Sequence, residues 1–304
     1  MSNLWTLGIG YPQIPATARI PQKRAQSGGM EPIRHGIYTT AQLISMVGGE
    51  GLAELIRLQY ARRLRRGWYQ IGNVSHDLVT AIRRGGVLSC VSALEHHGVW
   101  VPKHPDVHVR ADSWATRHRK GPFCRQFGRP APTLESIDDL PTAIRHAARC
   151  LDTEGFVVAC DSILNRGLMT WDQLEYQFRA APTAITRALG RCNGEAESGP
   201  ETMARLRLID LRMPVRIQVQ VTDDDRVDIV IGDWLIIEID GWEYHGDRKS
   251  FQHDRTRDRR TFQIGYHTLR YTYDDIVFDW ARSLGDIQSA VAAGLHTRPN
   301  RRLA

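Results

Sequence analysis

Three acidic residues, Asp228, Glu238 and Asp240, lie in the stretch RVDIVIGDWLIIEIDGWEYHGD, which otherwise reads as two greasy strands joined by a short loop. Strand interiors disfavour aspartate, and a buried carboxylate without a partner costs several kcal/mol, so their presence implies something cationic nearby. Alternation along a strand puts Glu238 and Asp240 on one face and Ile237 and Ile239 on the other. Asp228 joins them if Gly232, Asp233 and Trp234 form a three-residue loop, or a two-residue loop with a bulge. A plain two-residue turn slips the register and sends Asp228 to the opposite face. Converging carboxylate oxygens suit a hard divalent cation, magnesium (Mg2+) or manganese (Mn2+), with Asp228, Glu238 and Asp240 as its ligands. Such an ion polarises a phosphodiester and activates water, the requirements for hydrolysing a nucleic-acid backbone. The competing reading pairs the three carboxylates with the arginines of the following helix.

The elements that must hold these residues can be read outward from them. From about residue 195 the pattern is αβββαβα: a helix with Pro200 in its first turn, then VRIQVQV, RVDIVI and WLIIEID as strands. A basic helix ending at Gly265, the strand YHTLRYT and a final helix from Tyr273 complete it. Before it, segments at 140–150, 154–165 and 170–179 carry helical periodicity and form a connector. Further upstream, Thr39 and Gln42 form a capping box for a short helix stopped by Gly48 and Gly49. A second helix begins at GLAELIRLQYA, RRLRRG breaks it and leaves the basic cluster at its end, and a strand starts at Trp68. Helix, turn, basic helix and strand is winged-helix order, and it places Arg62, Arg63, Arg65 and Arg66 where guanidiniums reach DNA phosphates. The expected architecture is mixed α/β in four parts: a flexible tail over 1–30, a winged-helix-like DNA-binding region over 31–132, the helical connector over 133–194 and the αβββαβα domain over 195–304.

Composition sets the bounds. The chain has 304 residues, 42% of them hydrophobic, a net charge of +6, and 36 arginines against four lysines. That bias suits phosphate recognition, though it also suits an ordinary solvated surface. No run approaches a membrane span and no signal segment is evident, so the expected location is the cytoplasm, with DNA and no membrane as partner. Five scattered cysteines (Cys90, Cys124, Cys150, Cys160 and Cys192) without a CxxC pair argue against a disulfide framework and against a cysteine zinc site, and read as reduced core residues. His104, His108 and His118 lack tight ligand spacing and read as surface or hydrogen-bonded residues.

Two resemblances sharpen these expectations. HGIYTTAQL, RRLRRGWYQIG and GGVLSCVSALEHHGVW, the last with Ser89, Ser92, Ala93, Leu94 and Gly98 in place, resemble the winged-helix start of the AbiEi-type antitoxin family over about residues 33 to 101. The series Glu201, Asp228, Glu238-Ile239-Asp240-Gly241, His245, Asp254 and Arg257, closing with GYHTLRYTYDDI, resembles the Vsr-like branch of the PD-(D/E)XK nuclease superfamily over about 195 to 292. That resemblance implies a restriction-endonuclease-like domain with Glu201, Asp228 and Glu238 as acidic site residues. Asp240 stands where the commonest motif has lysine, so it would serve as a further metal ligand or carboxylate base, and His245 as the water-orienting substitute. Asp254 and Arg257 would support the site. The zinc-binding cysteines of the mismatch-repair enzyme that names the branch are missing. The function expected is a metal-dependent DNA endonuclease or nickase delivered by its N-terminal module. The alternative is a DNA-binding regulator or antitoxin-like protein on an inactive nuclease fold, with the setting open among defence, repair and mobile-element maintenance.

Overall fold

A computed structural model describes residues 33–125, 132–240 and 257–297 of this mixed α/β protein. The N-terminal tail, His245 and Asp254 lie outside the described residues. The chain divides into two compact units, one of residues up to Ala93 with Pro105–Cys150, the other of Leu94–His104 with Leu151 onward. The helix at 140–150 therefore belongs with the first unit, and the remaining helices of the expected connector belong with the second.

The first unit opens with β1 (Gly36–Thr39) and α1 (Thr40–Arg57), whose start carries the capping box between Thr39 and Gln42. Gly48, at φ 75° and ψ 171°, breaks α1 into two helical halves, a conformation open to glycine at little steric cost. The sequence pattern puts Arg62, Arg63, Arg65 and Arg66 at the end of a helix; the structure corrects this. Gln59 adopts a left-handed φ of 61°, and Tyr60 N–H closes back on Leu55 O, so the helix ends before the arginines. Arg62, Arg63 and Arg65 instead lie on β2 (Ala61–Arg65), and Arg66 in the turn leading to β3 (Trp68–Ile71). The sheet order is β1-β3-β2, all antiparallel, with a register shift between Arg63 and Arg65. Leu43, Leu52, Leu55, Ala61 and Ile71 bury together beneath it.

Next come α2 (His76–Arg84), β4 (Val87–Leu88), α3 (Cys90–His96), β5 (Val109–Arg110), α4 (Ser113–His118) and α5 (Leu140–Cys150). β4 pairs with β5, and Arg110 and Asp138, both buried, form a two-pronged ion pair that ties β5 to the approach to α5. Reading the scattered cysteines as unrelated core residues fails here. One ligand atom each from Cys90, His108, Cys124 and Cys150 lies within 4.8 Å of every other, and Cys150 is exposed rather than in the core. Spacing along the chain offers no hint of this, because four separate segments supply them. His104 instead faces Glu95 at 3.5 Å, and His118 stacks on Trp114.

The second unit contains α6 (Thr153–Asn165), α7 (Trp171–Phe178), α8 (Thr183–Leu189) and α9 (Gly199–Asp210). They are followed by β6 (Val215–Gln220), β7 (Arg226–Ile231), β8 (Leu235–Asp240), α10 (described over 257–264), β9 (His267–Thr272), α11 (Tyr273–Val277) and α12 (Trp280–Ala292). The sheet runs β6-β7-β8-β9, antiparallel up to β8 and parallel between β8 and β9. A parallel neighbour needs a crossover, and α10 lies within it. Met203, Ala204 and Leu208 of α9 pack on Ile229, Ile237 and Ile239 with Ile276 and Ile287 on the same side. The single final helix expected from Tyr273 is two helices. Phe278 N–H and Asp279 N–H both close on Asp274 O, which ends α11 and restarts the chain at Trp280. No described helix is long and apolar enough to cross a membrane.

Candidate active site

The loop joining β7 to β8 is Gly232-Asp233-Trp234, the three-residue form, with Ile231 opposite Leu235 and Ile229 opposite Ile237. Extending that register brings Asp228 opposite Glu238. The backbone ladder itself stops at Ile229 and Ile237, and the strands part beyond them. Asp228 bridges the parting: its Oδ2 accepts the Ile239 N–H at 2.8 Å, replacing a ladder bond by a side chain.

Side-chain alternation breaks at the same place. Val227 and Val230, three residues apart, share one apolar cluster while Ile229 and Ile231 belong to the other. In the neighbouring strand Gln218 adopts a φ of 50°, between Ile217 (paired with Ile229) and Val219 (paired with Val227). A non-glycine residue in this region inside a strand is strained by about 1–3 kcal/mol, and such strain is tolerated where the surroundings enforce it. Here it delivers the Gln218 amide, whose Nε2 donates to Glu201 Oε2 at 2.9 Å.

Glu201 comes from the first turn of α9, where Ser198 caps the helix and Glu197 N–H donates to Glu201 Oε2. The helix is held from behind by a buried network. Asp161 of α6 receives Arg205 at 2.8 Å, the Thr202 hydroxyl at 3.0 Å, and the backbone N–H groups of Asn193 and Gly194. Arg207 adds a two-pronged pair with Glu154 and donates to Ile276 O. Glu201 is thus a side chain on a fixed element rather than on a loop.

Three carboxylates from a helix and two strands meet where the sheet opens. Glu201 and Glu238 are 6% and 5% exposed, so their charges are poorly hydrated. Burial first, and then the charge of Asp228, push Glu201 up to about 7. Glu238 rises to about 8, again from burial and then Asp228, with Arg257 and Arg270 pulling against it. Asp228 is raised by burial against the opposing hydrogen bond from Ile239. Arg257 stands 3.4 Å from Glu238, while Arg270 is engaged by Asp258 and reaches Asp240 at 3.3 Å. Negative charge in this group exceeds the positive charge placed beside it.

Asp228 and Glu238 come together, and Glu201 approaches Asp228 from α9. Asp240, facing Glu238's side of the strand but 39% exposed, is drawn to the rim by Arg270. Among the described residues, neither Asp228, Glu238 and Asp240 nor Glu201, Asp228 and Glu238 close into one compact ligand cluster. Arg257 stands beside Glu238; His245 and Asp254 are outside the described residues. Gln218 and Arg270 join the site without a signal in the sequence pattern. The strand VRIQVQ offers Gln218 and Gln220 in equivalent positions, and only the left-handed backbone at 218 singles one out.

Hard oxygen donors carrying uncompensated charge are the chemistry that magnesium or manganese satisfies, so these residues suit such an ion in donor type, although their oxygens are not drawn together into a closed ligand set. In the first unit Arg62, Arg63 and Arg66 belong to the β2–β3 hairpin, with Arg62 and Arg63 exposed on its strand, whereas half-buried Arg65 lies over Trp68, 5.2 Å from the ring centre. Neither a protein-family model nor a curated protein matches this sequence.

Proposed function

We propose that the second unit is a metal-dependent nuclease of the PD-(D/E)XK type acting on DNA phosphodiesters. The observation carrying this reading is the approach of two buried carboxyls, Glu201 and Glu238, to half-buried Asp228, whose charge raises both, at the point where β7 and β8 part. A fold evolved for stability alone gains nothing from such a group, since replacing it by apolar residues would remove the repulsion. Glu201, Asp228 and Glu238 would hold magnesium or manganese, which when bound supplies Lewis-acid polarisation of the phosphodiester and a more acidic water. Gln218 orients Glu201 through its amide, and the Ile239 N–H fixes the rotamer of Asp228, so two of the donors are held in place. Arg257 stands close enough to share its charge between Glu238 and a substrate phosphate. Arg62, Arg63 and Arg66 would add sequence-independent contacts to the DNA backbone.

A second reading, a DNA-binding regulator on an inactive nuclease fold, draws on Asp240. It occupies the position of the usual lysine and is tied to Arg270, so no cationic water-activating side chain stands there. A plasmid-nicking assay with magnesium or manganese separates the two, comparing wild type with Asp228→Asn and Glu238→Gln. Cutting by wild type, with variants that bind DNA and do not cut, supports the nuclease; wild type that binds and never cuts with either ion leaves the regulator.

A further inference from the structure

We infer that Cys90, His108, Cys124 and Cys150 form a structural zinc site in the first unit, a Cys3His cage independent of the acidic site in the second. The four ligand atoms lie within 4.8 Å of one another, and Cys124 Sγ is 3.6 Å from His108 Nδ1. Zinc bonds of about 2.3 Å to sulfur and 2.0–2.1 Å to nitrogen place neighbouring corners of a tetrahedron about 3.6–3.8 Å apart. The cluster needs little contraction to reach that geometry.

Each ligand is fixed by backbone bonds that do not involve the thiols. Ser89 N–H donates to His108 O, and His108 N–H donates to the Ser92 hydroxyl, which locks Cys90 and His108 together. Cys124 N–H donates to Val109 O, laying its segment beside β5. Leu88 N–H bonds to Ser136 O and Asp138 N–H to Leu88 O, and α5 starts just beyond, with Cys150 as its last residue. Cys90 is also held at φ 54°, a left-handed backbone unfavourable for a cysteine, which aims its buried thiol into the group. Four segments far apart in sequence thus converge through a scaffold that is preorganised for a ligand.

The chemistry selects the ion and the role. Three thiols and an imidazole favour zinc over the magnesium suited to the carboxylates. Four protein ligands fill a tetrahedron, which leaves no open position for substrate and marks the site as structural. On binding, the three thiols release their protons to solvent and the imidazole binds as the neutral base. The ion would join the β4–α3 junction, β5, the segment at Cys124 and the end of α5.

Full-length protein from zinc-supplemented medium tests this by elemental analysis, expected to give about one zinc per chain after dialysis. Unfolding with a chelator should then expose all five thiols. Cobalt substitution should produce the intense visible bands of a tetrahedral thiolate site. Cys124→Ser and Cys150→Ser should drop zinc to about a tenth or less of wild type, while Cys192→Ser, in the second unit, retains it. If the serine variants do not fold, the metal content, cobalt spectrum and thiol count of wild type still decide. Wild type without stoichiometric zinc, three reactive thiols after unfolding (a disulfide among the four), weak octahedral cobalt bands, or zinc loss in Cys192→Ser equal to that in Cys150→Ser would each overturn the proposal.

Discussion

Glu238→Gln removes a charge that the folded second unit holds at a cost. In the unfolded chain this carboxyl titrates near its ordinary 4.5, and in the folded protein it is pushed up to about 8. A raised acid pKa means that the penalty is absent below the unfolded value, grows as pH rises and levels off above the folded value. At pH 7 the unfolded side chain is ionised and the folded one must take up a proton, which works against folding by about 3 kcal/mol; at pH 5 the same sum is under about 1 kcal/mol. Because Glu201 and Asp228 share the proton balance, part of the relief passes to them, and the net gain from glutamine is about 2–3 kcal/mol at pH 7. For a unit of this size that is a Tm increase of roughly 5–10 °C at pH 7, shrinking to roughly 2 °C at pH 5. Differential scanning calorimetry in buffer freed of divalent ions, at pH 5, 6, 7 and 8, measures it. Manganese should then raise the wild-type transition much more than that of the variant. A variant less stable than wild type at pH 7, or a difference that does not change with pH, would mean that Arg257 already neutralises Glu238, and the argument from excess charge would fail.

Three further outcomes follow from other parts of the structure. Gln218→Gly should relieve the left-handed strain while losing the bond to Glu201, leaving Tm within roughly 3 °C of wild type yet lowering the nicking rate at least about tenfold, as single-turnover kinetics would register. Asp161→Ala strands Arg205 in the interior and should cost about 3–5 kcal/mol, visible as a lowered urea midpoint with an unchanged m-value. Replacing Arg62, Arg63 and Arg66 by alanine should weaken DNA binding evenly across sequences and reduce the slope of log K against log salt by about 0.9 for each phosphate that is no longer neutralised.

The acidic strand pair is legible because the sheet imposes a simple rule. Two residues apart means the same face, and a three-residue loop means that Asp228 meets Glu238. Loop, strand limits and the helix carrying Glu201 are readable from glycine, proline and alternation. The rule stops at the irregularity. A left-handed Gln218 and the broken alternation at Asp228 exchange Asp240 for Glu201 in the buried group, and no local propensity marks glutamine for that backbone. The arginine hairpin misleads for a similar reason, since Gln59 rather than glycine ends α1. The Cys/His group escapes altogether. Its members are separated by 18, 16 and 26 residues and meet only through β4, β5 and the placement of α5, whereas spacing arguments detect ligands that share a turn or a knuckle.

The chain leaves the first unit after Ala93, returns at Pro105 and leaves again after Cys150. A polypeptide emerging from the ribosome therefore cannot complete that unit until its hundred-and-fiftieth residue is free, although half of the unit is out long before. The last thiol, at the end of α5, emerges only after residues 94–104 of the later unit are already exposed. Fragments cut at residue 132 or 133 would divide the first compact unit, so a study of that unit in isolation has to keep residues 33–150 together.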